Sequence, residues 1–446
     1  MSIMRWTVGL AIVAWCAVPA VAQTSVQAAF NYNLSEEEAA AKPAEAPATE
    51  AQSSGCTEEP SYDAGASCGC ESGCCSSGCG DSWCLGDCLG DCCLGEPWLL
   101  KDWATPNCCN GPNYGGWVAF GYYDDNNRLS TQPNDLKSFL DNPDHLNLDQ
   151  AWFFVEKLAQ GGACSSDWGY RADIVYGVDA QKTQAFGNPG GRWDTTFDNG
   201  SYGWAIPQAY GEFAYGDWSV KAGHFYTIVG YEVIPATGNF FYSHSYTLFN
   251  SEPFTHTGVL GTYKASDTLT YYAGWTAGWD TGFDQFNGGS NFLGGFGIQA
   301  TDDVKYTYVC TAGNLGFVGQ GYSHSNVLDF TLSSNWHYVL QSDFLNTNQE
   351  VTNTDFDRQD VGVNQYLFYT LNDCWAVGGR AEWWKSNLET GFADSYQEIT
   401  GGVNYRATAN LILRPELRYN WTNESANNGT DDFNNTVFAV DAILTF

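Results

Sequence analysis

The chain has 446 residues, of which 43% are hydrophobic, 16% are aromatic and only 15% are charged, and its formal net charge is −33 at pH 7. Such an excess of acidic residues argues against nucleic acid or an anionic lipid surface as a partner. Abundant glycine and aromatic residues with few charges are typical of many short strands joined by polar turns rather than of a globular enzyme.

The first 22 residues are predicted to be a secretory signal peptide. Arg5 supplies a positive charge, residues 6–18 form an apolar core, and Ala20-Val21-Ala22 has the small-residue spacing of a cleavage site. This core is shorter than a typical membrane-spanning helix, and no later stretch reaches the roughly 18 apolar residues that such a helix needs. We therefore expect an exported chain whose further membrane contact is peripheral or through a β-barrel.

Two segments of unusual composition follow the signal peptide. Residues 23–60 are rich in Ala, Glu and Ser and have too few bulky apolar residues for a core, which predicts a disordered acidic linker. Residues 61–114 are rich in cysteine, and dense cysteine in an exported chain predicts disulfides, within the chain or to envelope partners. A zinc site is the alternative, because the C-x₃-C spacing permits one. The cysteines assigned to disulfides are Cys84, Cys88, Cys92 and Cys93.

From residue 115 to the C-terminus, apolar and polar residues alternate in short runs separated by Gly, Asn, Asp or Ser. Some connections are very short, as at Ser266-Asp267, and others are long, as over residues 124–146. Short turns at one rim and long loops at the other are typical of a transmembrane barrel. The sequence therefore predicts an all-β fold, a transmembrane antiparallel β-barrel of about 16 strands over residues 115–446, preceded by a disordered Cys-rich segment.

The alternation also predicts which side chains face the lumen. In the stretch over residues 411–420 one face is apolar, whereas the other carries Arg414, Glu416 and Arg418. A soluble sandwich could show the same alternation, but the aromatic residues at strand ends and the length of the β region favour a membrane barrel. An alternative role for the inward charges is to pair between neighbouring strands. The predicted pore-lining residues are Glu156, Arg171, Asp173, Glu212, Lys221, Arg380, Glu382, Arg406, Arg414, Glu416 and Arg418.

One long segment, residues 227–255, interrupts the alternation. It contains two prolines and many Phe, Tyr and His residues, which is apolar for a wholly exposed loop. We expect it to fold into the lumen and narrow the pore, with Glu232, His244 and His256 near the constriction. The alternative is an outer loop packed on the rim.

The last strand carries apolar residues at alternate positions and ends on phenylalanine. This pattern resembles the assembly signal of bacterial outer-membrane proteins, and its residues are Phe438, Val440, Ala442, Leu444 and Phe446.

Residues 115–446 resemble the putative β-barrel porin-2 (OmpL-like) family. The resemblance rests on GGWVAFGYY, on the block PQAYGEFAYGDWSVKAGHFYTIVGYEVIPATGNFFYSHSY, on EPFTHTGVLGTYK and on the terminal Phe. It implies an outer-membrane channel for small solutes, with no assigned substrate.

The function expected from these observations is an outer-membrane porin for passive diffusion of small hydrophilic solutes or ions, with a weak cation preference set by the acidic composition. Expected partners are outer-membrane lipids, the barrel assembly machinery, the solutes themselves, a homotrimer and disulfide-linked envelope proteins, but no nucleic acid. The sequence has no H-E-x-x-H or Walker-type glycine motif, and we expect no enzyme, cofactor or metal. The alternative is a non-conducting structural or adhesive barrel, tethered to the envelope through its Cys-rich segment.

Overall fold

The computed structural model describes residues 94–104, 111–127, 129–130, 136–162, 165–187, 191–194, 198–351, 354–387, 394–423 and 434–446. The predicted signal peptide, the acidic linker and the four cysteines assigned to disulfides, Cys84, Cys88, Cys92 and Cys93, lie outside the described residues.

Sixteen antiparallel strands close into a single barrel. Closure occurs where the first strand pairs with the last, for example Trp117 with Thr445. The fold class predicted from the sequence, an antiparallel barrel of about 16 strands, is thereby confirmed. The wall strands are β1 Asn113–Tyr123, β2 Asn147–Lys157, β3 Ser166–Gly177, β6 Gly203–Tyr215, β7 Trp218–Tyr226, β8 Thr255–Ser266, β9 Leu269–Trp279, β10 Ser290–Thr301, β11 Val304–Asn314, β12 Gln320–Thr331, β13 Trp336–Val351, β14 Thr354–Thr370, β15 Trp375–Ser386, β16 Asp394–Thr408, β17 Leu411–Asn423 and β18 Asn434–Thr445.

The remaining described elements are short. Strands β4 Phe186–Gly187 and β5 Gly191–Arg192 form a separate two-stranded sheet. The helices are α1 Leu100–Ala104, α2 Val178–Thr183 and α3 Tyr246–Ser251. Within the described part of the chain, no helix has the length and apolar character needed to cross a membrane.

On the outside of the wall most of the exposed large side chains are apolar, whereas many polar and charged side chains are buried on the inside. In β17, Leu417 and Tyr419 are exposed on the outside, while Arg414, Glu416 and Arg418 are buried on the inside. Because side chains alternate along a strand, this split follows directly from the period of two in the sequence. In the predicted assembly signal, Phe438 and Leu444 are exposed and Val440 and Ala442 are partly exposed, all on the outer face of β18.

Most of the short hairpin turns lie at one rim, called here the short-turn rim. Aromatic rings cluster there, with Trp336 and Tyr369 centred 4.7 Å apart and Trp375 and Tyr405 centred 4.3 Å apart. Such rings at strand ends are typical of the interface between membrane and water.

Residues that precede the barrel are attached to the same rim. Ala409 N donates to the carbonyl of Leu94 at 2.9 Å, and the Asn410 amide exchanges two hydrogen bonds with the backbone of Trp98, at 2.7 and 2.8 Å. In the neighbouring turn, Cys374 is disulfide-bonded. Its partner lies outside the described residues, since Cys310, the other described cysteine, is free.

Candidate functional site: the lumen and its inserted segment

The connection between β7 and β8, residues 227–254, lies inside the barrel and is called here the lumen segment. Its apolar side chains are buried, including Ile234 at 2% exposed, Phe241 at 3% and Leu248 at 2%. It contains a 3₁₀ turn over residues 236–238 and helix α3, whose N-terminus is capped by Ser245 Oγ accepting from Leu248 N at 3.1 Å. This segment is therefore ordered by local capping as well as by its contacts with the wall.

Two inward carboxylates of the wall accept hydrogen bonds from the backbone of the lumen segment. Glu382 on β15 accepts from the N–H groups of Tyr246 and Thr247, both at 2.7 Å. Glu416 on β17 accepts from the N–H groups of Tyr242 and Ser243, at 2.8 and 3.1 Å. Buried backbone N–H groups need such partners, so these wall carboxylates anchor the segment rather than face open water.

Inward arginines satisfy the carbonyl groups of the same segment. Arg414 donates to the carbonyls of Ala236 at 2.9 Å and Asn239 at 2.6 Å. Arg380 donates to the Ser243 carbonyl at 2.7 Å. In the same way, Arg418 donates to the His244 carbonyl at 2.5 Å. The pattern of donors and acceptors along β15 and β17 thus matches the backbone that packs on it.

A buried ion-pair chain joins the lumen segment to the wall. Arg380 lies between Glu232 of the segment, at 2.7 Å, and Glu398 of β16, at 2.5 Å. Burial acts to raise the pKa of Glu232, but the nearby Arg380 guanidinium and His244 outweigh it and hold the pKa well below its ordinary value. Glu232 is therefore a carboxylate at neutral pH.

Other inward charges pair within the wall. On β3, Arg171 is bound to Glu156 of β2 at 3.1 Å and to Asp173 of its own strand at 2.8 Å. All three side chains are almost fully buried. The charges of this cluster therefore pair with one another within the wall and do not face a pore.

The rest of the predicted pore-lining set also points inward. Glu212 and Lys221 are register partners on β6 and β7, and Lys221 Nζ lies 4.8 Å from the ring centre of Tyr210. Lys221 is partly exposed, whereas Glu212 and Arg406 are buried.

The three residues expected at the constriction occupy two different elements. Glu232 and His244 belong to the lumen segment, and the His244 ring is centred 4.6 Å from that of Phe139. His256 lies beside the lumen segment and not within it, because it is the second residue of β8 and belongs to the wall. Its Nε2 lies 3.0 Å from Thr227 Oγ1, where the lumen segment leaves β7.

A second inserted element was not predicted from the sequence. Helix α2, which follows β3, also lies against the inner wall, and its Lys182 Nζ is 2.8 Å from Asp141 Oδ1. Gln150 of β2 donates to Asp179 of this helix and to the Ile234 carbonyl of the lumen segment, both at 2.9 Å. The only sequence signal for this insertion was the long gap that follows β3.

Part of the inner wall is less covered by these insertions. Towards the short-turn rim, inward side chains on β8–β11 are polar and only partly buried. They include Thr262, Tyr272, Gln299, Lys305 and Thr307. Among the described residues, no group of three or more His, Cys, Asp or Glu side chains is arranged to hold a metal ion.

Comparison with known proteins gives the following relationships. The family model described as putative beta-barrel porin-2, OmpL-like, matches residues 112–446. Among solved structures, the outer membrane channel DcaP of Acinetobacter baumannii is similar with a TM-score of 0.53 and 11% identity, covering 75% of this chain and 97% of that chain. The trimer form of OmpT, an outer membrane protein of Vibrio cholerae, has a TM-score of 0.47 and 11% identity, covering 75% and 99%. An anion-selective porin from Comamonas acidovorans has a TM-score of 0.47 and 9% identity, with the same coverage. No curated protein matches the sequence.

Proposed function

Because this chain belongs to the putative beta-barrel porin-2, OmpL-like family, an outer-membrane channel family, we propose that it is a porin for passive diffusion of small hydrophilic solutes and ions. The single observation that carries this proposal is the polar, partly exposed inner surface of β8–β11. Side chains such as Thr262, Gln299 and Thr307 can exchange hydrogen bonds with water and with polar solutes, and they line the side of the lumen that the inserted elements cover least.

The lumen segment is proposed to form the constriction of this channel. It is held by charged side chains on several strands, so it presents a fixed surface rather than a loose loop to the solute path. Glu232 and His244 lie within it, and His256 lies at its base. In this proposal the inward charges of β15 and β17 shape the pore indirectly, by fixing the constriction.

The weak cation preference is proposed to arise at the mouths. Acidic turn residues at the short-turn rim are exposed, among them Asp217, Asp267 and Asp303. The partly exposed charges of the lumen include Lys221 and Lys305, which oppose that preference. An acidic mouth raises the local cation concentration, but basic groups further inside reduce the selectivity, so we expect a small effect.

Single-channel recording of the full-length chain in a planar bilayer under a salt gradient tests the proposal. We expect discrete conductance steps and a reversal potential directed towards the cation equilibrium potential. Replacing residues 238–251 by a short Gly-Ser linker should raise the conductance, because this removes the core of the lumen segment. A folded, heat-modifiable barrel that conducts neither with the wild-type segment nor with the linker would overturn the porin proposal. An unchanged conductance after the replacement would refute the proposal that the lumen segment forms the constriction.

One observation favours a second candidate, a non-conducting barrel tethered to the envelope. Two inserted elements occupy the lumen, and residues 94–98 are hydrogen-bonded to the short-turn rim beside the disulfide-bonded Cys374. In this version the Cys-rich segment forms disulfides with envelope partners. Size-shifted species on non-reducing gels, combined with absence of conductance, would favour it.

The remaining assignments complete the proposal. Residues 1–22 would direct export and be cleaved, residues 23–60 would form a linker, and the outward apolar residues of β18 would be read by the barrel assembly machinery. We propose no catalytic activity and no cofactor.

A further inference from the structure

The segment that precedes the barrel follows the short-turn rim across the seam where β1 meets β18. Helix α1, Leu100–Ala104, lies beside β1. Closer to the N-terminus, the backbone of Trp98 is hydrogen-bonded to Asn410, which precedes β17, and the Leu94 carbonyl accepts from Ala409 in the same turn. From β1 back towards the N-terminus, the chain therefore crosses β18 and β17 and reaches the end of β16.

The next turn along this rim, between β14 and β15, carries Cys374, which is disulfide-bonded. The Arg406 N–H donates to the Cys374 carbonyl at 2.8 Å, and the Ala409 N–H donates to the Leu94 carbonyl at 2.9 Å. Leu94 and Cys374 are thus attached to backbone groups only three residues apart, and three residues span at most about 11 Å. The chain at Leu94 is therefore close to the turn that holds Cys374.

We propose that Cys374 is disulfide-bonded to one cysteine of the adjacent pair Cys92-Cys93. This pair immediately precedes Leu94 and lies outside the described residues. Two residues reach at most about 7 Å, and a disulfide then joins α-carbons about 5.5 Å apart. Cys108 and Cys109 lie at the opposite end of the segment, between α1 and β1. The inference does not depend on whether the barrel conducts.

This disulfide makes the segment from residue 94 to β1, called here the strap, a covalent link across the seam. Seven residue pairs join β1 to β18, whereas sixteen join β13 to β14, so the seam is one of the shorter ladders of the barrel. A cross-link between β1 and the β14–β15 turn limits how far the seam strands separate when they open. Joining the two thiols releases two protons and two electrons, which an oxidised dithiol protein of the export compartment accepts by thiol–disulfide exchange.

Asn410 is the non-covalent attachment of the strap. Its side-chain amide accepts from the Trp98 N–H at 2.7 Å and donates to the Trp98 carbonyl at 2.8 Å and to the Thr445 carbonyl of β18 at 3.0 Å. A second turn asparagine, Asn335, donates to the Thr370 carbonyl at 2.7 Å in the corresponding position before β13. Asn410 therefore combines an ordinary turn contact with a contact to the strap, and Asn335 provides a matched control.

Peptide mapping of the full-length wild-type protein tests the assignment. The protein is purified from outer membranes with free thiols alkylated, left unreduced and cleaved on the N-terminal side of Asp. We expect a species that contains residues 91–101, with Cys92 and Cys93 as their cysteines, joined to residues 373–393, with Cys374, and that separates on reduction. A link from residues 373–393 to residues 102–123, to residues 149–166 or to a different protein would overturn the proposal.

The role of the strap is measured as the temperature at which the folded band shifts on non-reducing gels. We expect Cys374→Ser and Asn410→Ala each to lower this temperature by several degrees, because each removes one attachment of the strap. Cys310→Ser, at a free cysteine, should leave it unchanged, and Asn335→Ala should lower it by less than Asn410→Ala does. Equal temperatures for the two serine variants, or for the two alanine variants, would overturn this role.

Discussion

Replacing Glu232 by Gln should loosen the lumen segment while leaving the barrel folded. The substitution keeps the size of the side chain but removes the charge that faces Arg380 at 2.7 Å. Breaking a buried ion pair by removing one partner costs about 3–5 kcal/mol. Arg380 keeps Glu398 as a counter-ion at 2.5 Å, so we expect the lower end of this range, about 3 kcal/mol.

That free energy corresponds to roughly a hundredfold change in the equilibrium between docked and undocked segment. The change is measured by hydrogen exchange of peptides from residues 227–254 and by single-channel recording. We expect faster exchange in this segment, a higher conductance and more frequent fluctuations between levels, with little change in the exchange of the wall strands.

The matched control is Glu156→Gln, which makes the same chemical change in a buried wall carboxylate. Glu156 is bound to Arg171, and Arg171 keeps Asp173, so the local loss of pairing is similar. This variant should lower the stability of the barrel without altering conductance. Equal effects of the two variants on the lumen segment, or no effect of Glu232→Gln, would refute the reasoning that the ion pair anchors the segment.

Further predictions concern the contact between the lumen segment and the wall, the response of this segment to acid, and the closing strand β18. Gly362→Ala should displace α3 and change conductance, because the added β-carbon would collide with the side chain of Thr247, whereas Gly401→Ala, which points into open space, should not. The depressed pKa of Glu232 means that its stabilisation is complete above the unfolded value of about 4.3 and is lost only as pH falls towards the lower folded value. The difference in segment exchange between the wild type and Glu232→Gln should therefore be the same at pH 7 and pH 5, and a smaller difference at pH 5 would contradict this. Deleting Phe446, whose backbone pairs with β1 at 2.9 and 3.0 Å, should reduce the heat-modifiable fraction, and Phe446→Tyr should restore it.

The barrel and the sidedness of its strands were predictable because both depend on local sequence. A period of two assigns Arg414, Glu416 and Arg418 to one face wherever the strand is placed, and that face is buried in the structure. Short turns with Asp and Asn fix hairpins in the same local way. The strand count and the antiparallel order follow from these patterns together.

The partners of the inward charges could not be predicted in the same way. Glu382 bonds to the backbone of Tyr246, which is 136 residues away, and Arg414 bonds to the Ala236 carbonyl, 178 residues away. No periodic pattern encodes such pairs, because they exist only once the barrel has closed around the segment. For the same reason the sequence did not reveal that α2 enters the lumen, or that His256 belongs to β8.

The amino-acid sequence by itself therefore determined a closed antiparallel barrel with an apolar exterior and a charged interior, because alternation along a strand is a property of neighbouring residues. Only the tertiary structure decided what those interior charges do. In a closed barrel most inward groups lose bulk water, so each buried donor and acceptor must find a protein partner. The backbone of the lumen segment supplies many of these partners. Charged side chains that were expected to line the pore therefore hold the lumen segment in place instead.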